Sequence, residues 1–110
     1  MVRVHVWLRK KDGMSAEDFA DHWRTVHAPI ARDGYANLRS YTVNIVTRVP
    51  EGQTAPYDGI AELTWDDREG FSADMKSEAN QRATADMANF TSEVGLLFID
   101  ETVVKEPDDA

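Results

Sequence analysis

The segment from Phe19 to Pro29 constrains this chain more than any other, because it holds two of the three histidines, His22 and His27. With successive residues about 100° apart around a helix, one side of this segment and its flanks is apolar apart from a single histidine: Ala16, Phe19, Ala20, Trp23, Val26, His27 and Ile30. His27 lies within this apolar arc, and His22 lies at its edge. Because burial and neighbouring groups move the pKa of a histidine through the physiological range, His27 is the main chemical lead in the sequence.

Both ends of this helix carry recognisable signals. Ser15, followed by Glu17 and Asp18, is typical of a helix N-cap, since its hydroxyl accepts a first-turn N–H and carboxylates favour the positive helix end. Pro29 cannot donate an N–H to the carbonyl of Thr25, and it disfavours helical geometry at the preceding residue. The helix is therefore predicted to kink or end just after His27, which leaves two readings open: a free carbonyl beside the histidine, or a plain helix terminus.

The remaining segments predict an α+β fold. Four stretches have the pattern of β-strands: residues 2–9, 38–48, 57–65 and 96–104. A second helical stretch is capped by residues 66–69 and restarts at Ser77. The element order is β-α-β-β-α-β, the ferredoxin-like unit, in one domain over residues 1–110. The loop with Pro50, Gly52 and Pro56 is a possible lid, and the acidic tail 105–110 is expected to be frayed.

A fold of this kind leaves one face of its sheet without helices. That face is expected to carry an apolar or aromatic side chain on each strand, which a monomer would expose as a sizeable apolar patch. Two copies that meet through this face would bury the patch. The sequence therefore predicts a homodimer.

Composition restricts the partners of the protein. The net charge of −8 argues against a nucleic-acid partner and against attraction to anionic membranes, and it suits a small, largely apolar or neutral ligand. The absence of cysteine excludes disulfides, thiolate metal sites and a cysteine nucleophile. No apolar run reaches the roughly 20 residues of a membrane span. The first residues alternate instead of forming the apolar core of a signal peptide, so a cytoplasmic location is expected.

Motifs spread over nearly the whole chain together point to a known family. They are a basic turn ending in Gly13-Met14-Ser15, the element Phe19…His22-Trp23…His27-Ala28-Pro29, the pair Leu38…Tyr41, the run 57–63 and the run 85–90. This set resembles the EthD-like family of the dimeric α/β barrel superfamily. One departure is Ala36-Asn37, where the family usually has Pro-Gly, although Asn tolerates the same left-handed geometry.

The resemblance implies a fold, a pocket and a style of chemistry. It implies dimers whose sheets close into a shared barrel, with a pocket between the helices and the sheet of each subunit. Members and cousins include isomerases, decarboxylases, aromatic polyketide cyclases and oxygenases that work without a cofactor on small cyclic or polyketide-like compounds. Many other members have no assigned reaction. The residues that match the acid/base histidine and the pocket tyrosine of such proteins are His27 and Tyr41.

Three residues are candidates for catalysis. His27 is the candidate general acid or base, and the alternative is a core histidine bonded to a carbonyl. Tyr41 is the candidate donor to a carbonyl oxygen that becomes an enolate, and the alternative is an aromatic that only packs on the sheet. His22 would hold or polarise the substrate, and the alternative is a solvated or interface histidine.

Further residues are candidates for substrate binding. Asn44 and Asp86 are the polar ones, and Asp86 could also orient an imidazole. The aromatic candidates are Trp7, Trp23, Tyr57, Trp65 and Phe90, of which about two are expected to touch a ligand because most aromatics belong to the core. No metal site is predicted, because His22 and His27 are five residues apart and helical metal pairs prefer three or four. No phosphate loop or dinucleotide motif is present, so no cofactor is predicted.

These observations lead to one functional hypothesis with two alternatives. The hypothesis is a cofactor-free homodimeric enzyme that isomerises, cyclises or decarboxylates a small oxygenated ring compound by proton transfer. The first alternative is a cofactor-independent monooxygenase acting on a phenolic or anthrone-like substrate. The second is a non-catalytic small-molecule-binding or accessory protein.

Overall fold

The computed structural model describes residues 1–108 and contains one four-stranded antiparallel sheet. Its strands are β1 (Val2–Lys10), β2 (Leu38–Ile45), β3 (Gly59–Trp65) and β4 (Thr91–Phe98), in the order β2-β3-β1-β4. The helices are α1 (Ala16–His22), α2 (Ala28–Gly34), α3 (Arg68–Met75) and α4 (Glu78–Phe90), and a π-helical segment, Trp23–His27, joins α1 to α2. The predicted ferredoxin-like α+β fold is confirmed.

Side-chain caps fix the start of three helices. Ser15 accepts a hydrogen bond from the backbone N–H of Asp18 at 3.0 Å, as its position before α1 predicts. Asp67 caps α3 by accepting from Gly70 N at 2.8 Å, and Ser77 caps α4. These caps satisfy N–H groups that have no partner within the helix.

The first helix was predicted to kink or end just after His27, and it does not end there. The chain stays helical from Ala16 to Gly34, and it accommodates Pro29 by widening into the π-helical segment. At the end of that segment the N–H of Ala28 bonds to the carbonyl of Trp23, five residues earlier. The missing N–H of Pro29 therefore changes the type of helix without ending it.

The core lies between the helices and one face of the sheet. That face carries Val4, Val6 and Leu8 of β1, with Leu63 of β3 beside Val4 and Ala61 beside Val6 in register. The aromatic rings of Phe19, Trp23 and Phe90 fill the space above the sheet with centroids 5.6–6.3 Å apart. The same packing brings the middle of the long helical run against the end of α4.

Three predicted strands have bounds that need correction by two residues or more. β2 ends at Ile45 and β3 begins at Gly59, so both are shorter than predicted. The last strand begins at Thr91, five residues before its predicted start, and ends at Phe98. Gly95, predicted to precede this strand, lies inside it because Trp7 of β1 packs on its bare backbone, where a Cβ atom would lie 2.3 Å from the indole.

The face of the sheet without helices, here called the outer face, is less apolar than predicted. Strand alternation places Trp7, Ile60 and Leu97 on it. β2, however, presents polar residues there, among them Thr42 and Asn44, so the expectation of an apolar side chain on each strand is wrong for β2. Other exposed apolar side chains lie on the edge strand β4, namely Val94, Leu96 and Phe98.

The remaining segments have no regular secondary structure. This holds for most of the loop 46–58 and for residues 105–108 of the predicted acidic tail, while Asp109 and Ala110 lie outside the described residues. No helix within residues 1–108 combines the length and the apolar character needed to cross a bilayer.

Candidate functional site

A cavity of about 280 Å³ lies between the helices and the sheet. Its walls are mainly apolar, with Val4, Val6 and Leu8 of β1 as the floor. Five residues with polar side-chain groups, apart from the indoles, line it: His27, Tyr35, Tyr41, Asn80 and Thr84. Val94 and Leu96 of the edge strand β4 line it from the side, and both are 44% exposed, so the cavity opens toward that edge.

His27 is held on the cavity wall by a single carboxylate. Its side chain is buried, with 5% of the residue exposed, and Nδ1 lies 2.8 Å from Oδ2 of Asp86. A carboxylate only accepts hydrogen bonds, so Nδ1 carries the proton and donates it to Asp86. Nε2 is then the unprotonated nitrogen, and among residues 1–108 the His27 ring has no hydrogen bond other than the one through Nδ1.

Asp86 also binds the second histidine of the motif. Nε2 of His22 lies 3.0 Å from both carboxylate oxygens, and Nδ2 of Asn89 donates to Oδ1 at 2.9 Å. At about 100° per residue His22 and His27 would lie about 140° apart around a regular α-helix. The wider π-helical segment between them brings both imidazoles to the same carboxylate.

The charges of this group follow from burial and hydrogen bonding. Burial lowers the pKa of His27 below its ordinary value of 6.5, although the hydrogen bond to Asp86 and its negative charge act in the opposite direction. Burial alone would raise the pKa of Asp86, but the hydrogen bonds from Asn89, His22 and His27 together lower it. At neutral pH the site therefore holds a neutral His27 imidazole beside an ionised Asp86.

Phe90 packs against both imidazoles and does not line the cavity. Its ring centroid lies 4.7 Å from that of His22 and 4.8 Å from that of His27, and the residue is fully buried. This aromatic contact limits the rotation of both rings. Phe90 therefore holds the imidazoles in place from the side away from the cavity.

Tyr41 presents a free hydroxyl proton to the cavity. Nε1 of Trp23 donates to Oη of Tyr41 at 3.0 Å, which uses the oxygen as an acceptor. Among the described residues none accepts the O–H of Tyr41. Burial raises the pKa of Tyr41, so the phenol stays protonated at neutral pH and can donate to a ligand.

The structure brings together some of the sequence-predicted residues and separates others. His27, Tyr41, Trp23 and Trp65 line the cavity. His22, Asp86 and Phe90 form the layer behind His27.

Trp7, Asn44 and Tyr57 lie elsewhere. Trp7 and Asn44 are on the outer face, where Asn44 donates to Glu62 and to the carbonyl of Ile60 at 3.1 Å. Tyr57 belongs to the loop 46–58, and within the described part of the chain that loop contributes no cavity-lining residue. The loop 46–58 therefore does not cover the cavity in this structure.

Three polar lining residues, Tyr35, Asn80 and Thr84, were missed by the sequence reasoning. Tyr35 follows α2 directly and Asn80 lies in the first turn of α4, so neither belongs to an obvious motif. Their hydrogen bond of 2.6 Å joins residues 45 positions apart. The helical run continues past Pro29 to Gly34 and so brings Tyr35 to this place.

No metal centre is formed by these groups. The nitrogens of His22 and His27 that face Asp86 lie at hydrogen-bond distances from it. Across residues 1–108 no group of three or more His, Asp or Glu side chains has an arrangement that could hold a metal ion.

The family of the chain follows from its sequence. Residues 11–93, which include the helical histidine motif and α4 with Asp86, match the EthD domain. The chain belongs to the EthD family. No protein of curated function shows a significant match to this EthD-domain chain.

Solved structures share the fold of this EthD-domain chain. An EthD family protein from Bacillus halodurans is 21% identical, with a TM-score of 0.75, over 93% of this chain and 100% of that one. A dimeric ferredoxin-like protein of unknown function from Thermobifida fusca is 17% identical, with a TM-score of 0.70, over 89% and 88%. A structure described as an antibiotic biosynthesis monooxygenase is 12% identical, with a TM-score of 0.63, over 94% and 100%. At these identities the likeness shows the fold alone.

Proposed function

We propose that this protein is a cofactor-free, homodimeric enzyme that isomerises, cyclises or decarboxylates a small cyclic or polyketide-like oxygenated compound by proton transfer. The observation that carries the proposal is the arrangement of His27. Its Nδ1–H is committed to Asp86 at 2.8 Å, and its Nε2 is left unprotonated on the wall of an apolar cavity.

His27 acts as the base in this proposal. Nε2 removes a proton from a carbon next to a carbonyl group, and the resulting imidazolium is stabilised by the negative charge of Asp86. The same imidazolium then returns the proton to another atom of the substrate. The lowered pKa of His27 keeps the base unprotonated at neutral pH before the reaction begins.

Tyr41 stabilises the charge that develops on the substrate. Its O–H donates to the carbonyl oxygen, and this hydrogen bond strengthens as the carbonyl becomes an enolate. Trp23 holds the phenol in place through its indole N–H, at 3.0 Å from Oη. His22 is the positioning residue of the proposed site, because it binds the carboxylate that orients His27.

The cavity suits a small ring compound. Its volume of about 280 Å³ lies near the lower end of the ~300–1,000 Å³ of typical small-molecule sites, which favours one to three fused rings. Aromatic rings of Trp23 and Trp65 among the lining residues favour a flat ligand.

The proposed dimer forms through the outer face of the sheet. The structurally similar protein from Thermobifida fusca is described as dimeric. In this chain Trp7, Ile60 and Leu97 provide the apolar part of the outer face, and Leu97 is 50% exposed. A second copy would cover these side chains.

The experiment that tests the proposal is hydrogen–deuterium exchange at the acidic carbon of 2-tetralone and of anthrone, followed by NMR in D₂O. Wild-type protein should accelerate exchange of at least one probe, and His27→Gln should lower that rate by about 100-fold or more, the usual contribution of a general base. His5→Gln is the matched control, because His5 lies on the outer face beside Glu62. A folded His27→Gln variant with the wild-type rate, or a wild-type protein that accelerates neither probe, would contradict the proposal.

A second candidate function is the cofactor-independent monooxygenase. It is favoured by the likeness of the fold to the antibiotic biosynthesis monooxygenase structure and by a base that could deprotonate an electron-rich anthrone. In that reaction one O₂ converts anthrone to anthraquinone and water. Oxygen uptake with anthrone that depends on His27 would support this candidate, and exchange without oxygen uptake would support the first. A probe that binds and is returned unchanged would favour a binding protein.

A further inference from the structure

The cavity has a second polar group, formed by Tyr35 and Asn80. Oη of Tyr35 lies 2.6 Å from Oδ1 of Asn80, and Nδ2 of Asn80 donates to the carbonyl of Met75 at 2.8 Å. Since the amide nitrogen of Asn80 is turned to Met75, its oxygen faces Tyr35 and can only accept. Tyr35 is therefore the donor in this pair.

This pair lies away from the proposed base, His27. Tyr35 follows His27 by eight residues along one helical run, which corresponds to about 12 Å of rise. Asn80 precedes Asp86 by six residues along α4, or about 9 Å. Two separate helices thus place Tyr35 and Asn80 at one end of the cavity and the His27–Asp86 pair toward the other.

The two tyrosines offer complementary hydrogen-bonding groups. The free O–H of Tyr41 is a donor, which suits a carbonyl oxygen. The O–H of Tyr35 is already used, and no described residue donates to its oxygen. The remaining capacity of Tyr35 is that of an acceptor, which suits a hydroxyl group.

We propose that Tyr35, held by Asn80, is a subsite for a substrate hydroxyl, so that the substrate is a hydroxylated cyclic ketone with its carbonyl at Tyr41 and its hydroxyl at Tyr35. The position assigned to the substrate carbonyl, at Tyr41, rests on the proposed function. The hydroxyl subsite itself requires only that the cavity binds a ligand.

The surroundings of Tyr35 support this assignment. Burial raises its pKa to about 12, so the phenol is neutral and keeps its hydrogen bond to Asn80 throughout the physiological range. The ring of Tyr35 stacks on Trp65 with centroids 6.5 Å apart. Nε1 of Trp65 donates to Asp74 at 2.7 Å. The indole N–H is therefore used and does not compete with a substrate hydroxyl for the oxygen of Tyr35.

The test compares the binding of matched probes by quenching of tryptophan fluorescence under nitrogen. The pairs are 2-tetralone with 6-hydroxy-2-tetralone, and anthrone with 3-hydroxyanthrone. Wild-type protein should bind the hydroxylated member of at least one pair about three- to tenfold more tightly, the usual contribution of one hydrogen bond. Tyr35→Phe should remove this preference and leave the affinity for the unhydroxylated probe within about twofold.

Two variants serve as controls. Tyr57→Phe removes a tyrosine hydroxyl outside the cavity and should leave the preference unchanged. Tyr41→Phe should weaken both members of a pair equally, because both carry the carbonyl group. Equal affinities within both pairs for the wild-type protein, or a preference that persists in Tyr35→Phe, would overturn the inference.

The outcome is independent of catalysis. If His27→Gln shows that no proton transfer occurs, but the wild-type protein prefers the hydroxylated probe and Tyr35→Phe does not, the subsite stands without the proposed enzyme. If Tyr35→Phe fails to fold, the wild-type preference is measured again with 5-hydroxy-2-tetralone. A hydroxyl at that position that binds as well as one at position 6 would count against a subsite at Tyr35.

Discussion

At the scale of single residues, the site depends on one carboxylate that serves two imidazoles. Asp86 accepts from Nδ1 of His27 and from Nε2 of His22, and Asn89 donates to it as well. A carboxylate accepts from both rings only when each presents an N–H, so Asp86 selects the tautomer of both histidines. Asp86 therefore determines which nitrogen of His27 is left unprotonated.

Asp86→Asn should abolish this selection. An amide at position 86 can donate to Nδ1 of His27, which would move the ring proton to Nε2 and remove the free base from the cavity. The exchange rate of the ketone probe should fall by about 100-fold or more, as losses of orienting carboxylates do elsewhere. Asp33→Asn is the control, because Asp33 is an exposed partner of Arg32. Equal rates for wild type and Asp86→Asn would show that the carboxylate plays no part.

The buried imidazole should also make stability depend on pH. The folded chain binds a proton at His27 at a lower pH than the unfolded chain, whose ordinary pKa is 6.5. The free energy of unfolding should therefore fall as pH drops below 6.5, and this contribution should be constant above that pH. Urea unfolding at about pH 7.5 and about pH 5.5 should show a smaller difference for His27→Gln than for wild type. An identical pH dependence in the two proteins would contradict the burial of an uncharged His27.

At the scale of elements, the π-helical segment Trp23–His27 determines the geometry of the site. It places His22 and His27, five residues apart, against the same side chain, and it lets the helix pass Pro29 and continue to Tyr35. A regular α-helix would separate the two histidines. The segment is thus a local departure from α-helical geometry that has a direct consequence for the proposed chemistry.

Pro29→Ala tests the role of this segment. Alanine restores an N–H that can bond to the carbonyl of Thr25 and allows a regular α-helical turn. We expect the exchange rate to fall by about tenfold or more through misplacement of His27, while the melting temperature stays equal or rises. Pro50→Ala, in the loop away from the cavity, is the control. A fully active Pro29→Ala variant would mean that the π-helical geometry does not matter for the site.

The sequence predicted the type and order of the helices and strands more accurately than the residues at which they begin and end. Alternation in β1 and the cap at Ser15 depend on local chemistry, and both agree with the structure. The start of β4 was misplaced because Gly95 was interpreted as a strand boundary, whereas it is a contact for Trp7 on the neighbouring strand. The π-helical geometry before Pro29 was missed, because the prediction considered only a kink or an end of the helix. Both errors arise from contacts or geometries that the local sequence does not show.

The candidate site was predictable in part for the same reason. His27 and Tyr41 were found through helical periodicity and the family resemblance, and both line the cavity. Tyr35 and Asn80 became neighbours only through the packing of α2 on α4. Trp7 and Asn44 were assigned to the site because strand periodicity does not reveal which face the helices cover. The cytoplasmic location, the single domain over residues 1–110 and the roles of all site residues stay predictions.

At the scale of the whole molecule, the sheet has two faces with different roles. One face forms the cavity with the helices, and the outer face carries Trp7, Ile60 and Leu97 together with the polar pair His5 and Glu62. Polar and apolar groups are thus mixed on the outer face. Such a surface is compatible with a dimer interface whose apolar centre has a polar surround.

Leu97→Glu should disrupt the proposed dimer. The substitution places a carboxylate on the outer face near Glu62, and burial of the two charges against a second copy would be unfavourable. Light scattering after size exclusion should give a dimer for wild type and a monomer for Leu97→Glu. Val26→Glu is the matched control, because Val26 is 48% exposed and Leu97 50% exposed, but Val26 lies on the helical layer. A dimer that survives Leu97→Glu and dissociates with Val26→Glu would place the interface on the helices.

The state of the His27 ring is the most direct test of the proposed function. Long-range ¹⁵N–¹H correlation spectra, assigned with His5→Gln and His22→Gln variants, report which ring nitrogen of each histidine carries a proton. At neutral pH they should show His27 uncharged and protonated at Nδ1, with a pKa below the ordinary 6.5. A His27 ring that is protonated at Nε2, or charged at neutral pH, would leave the cavity without a base and would contradict the proposal.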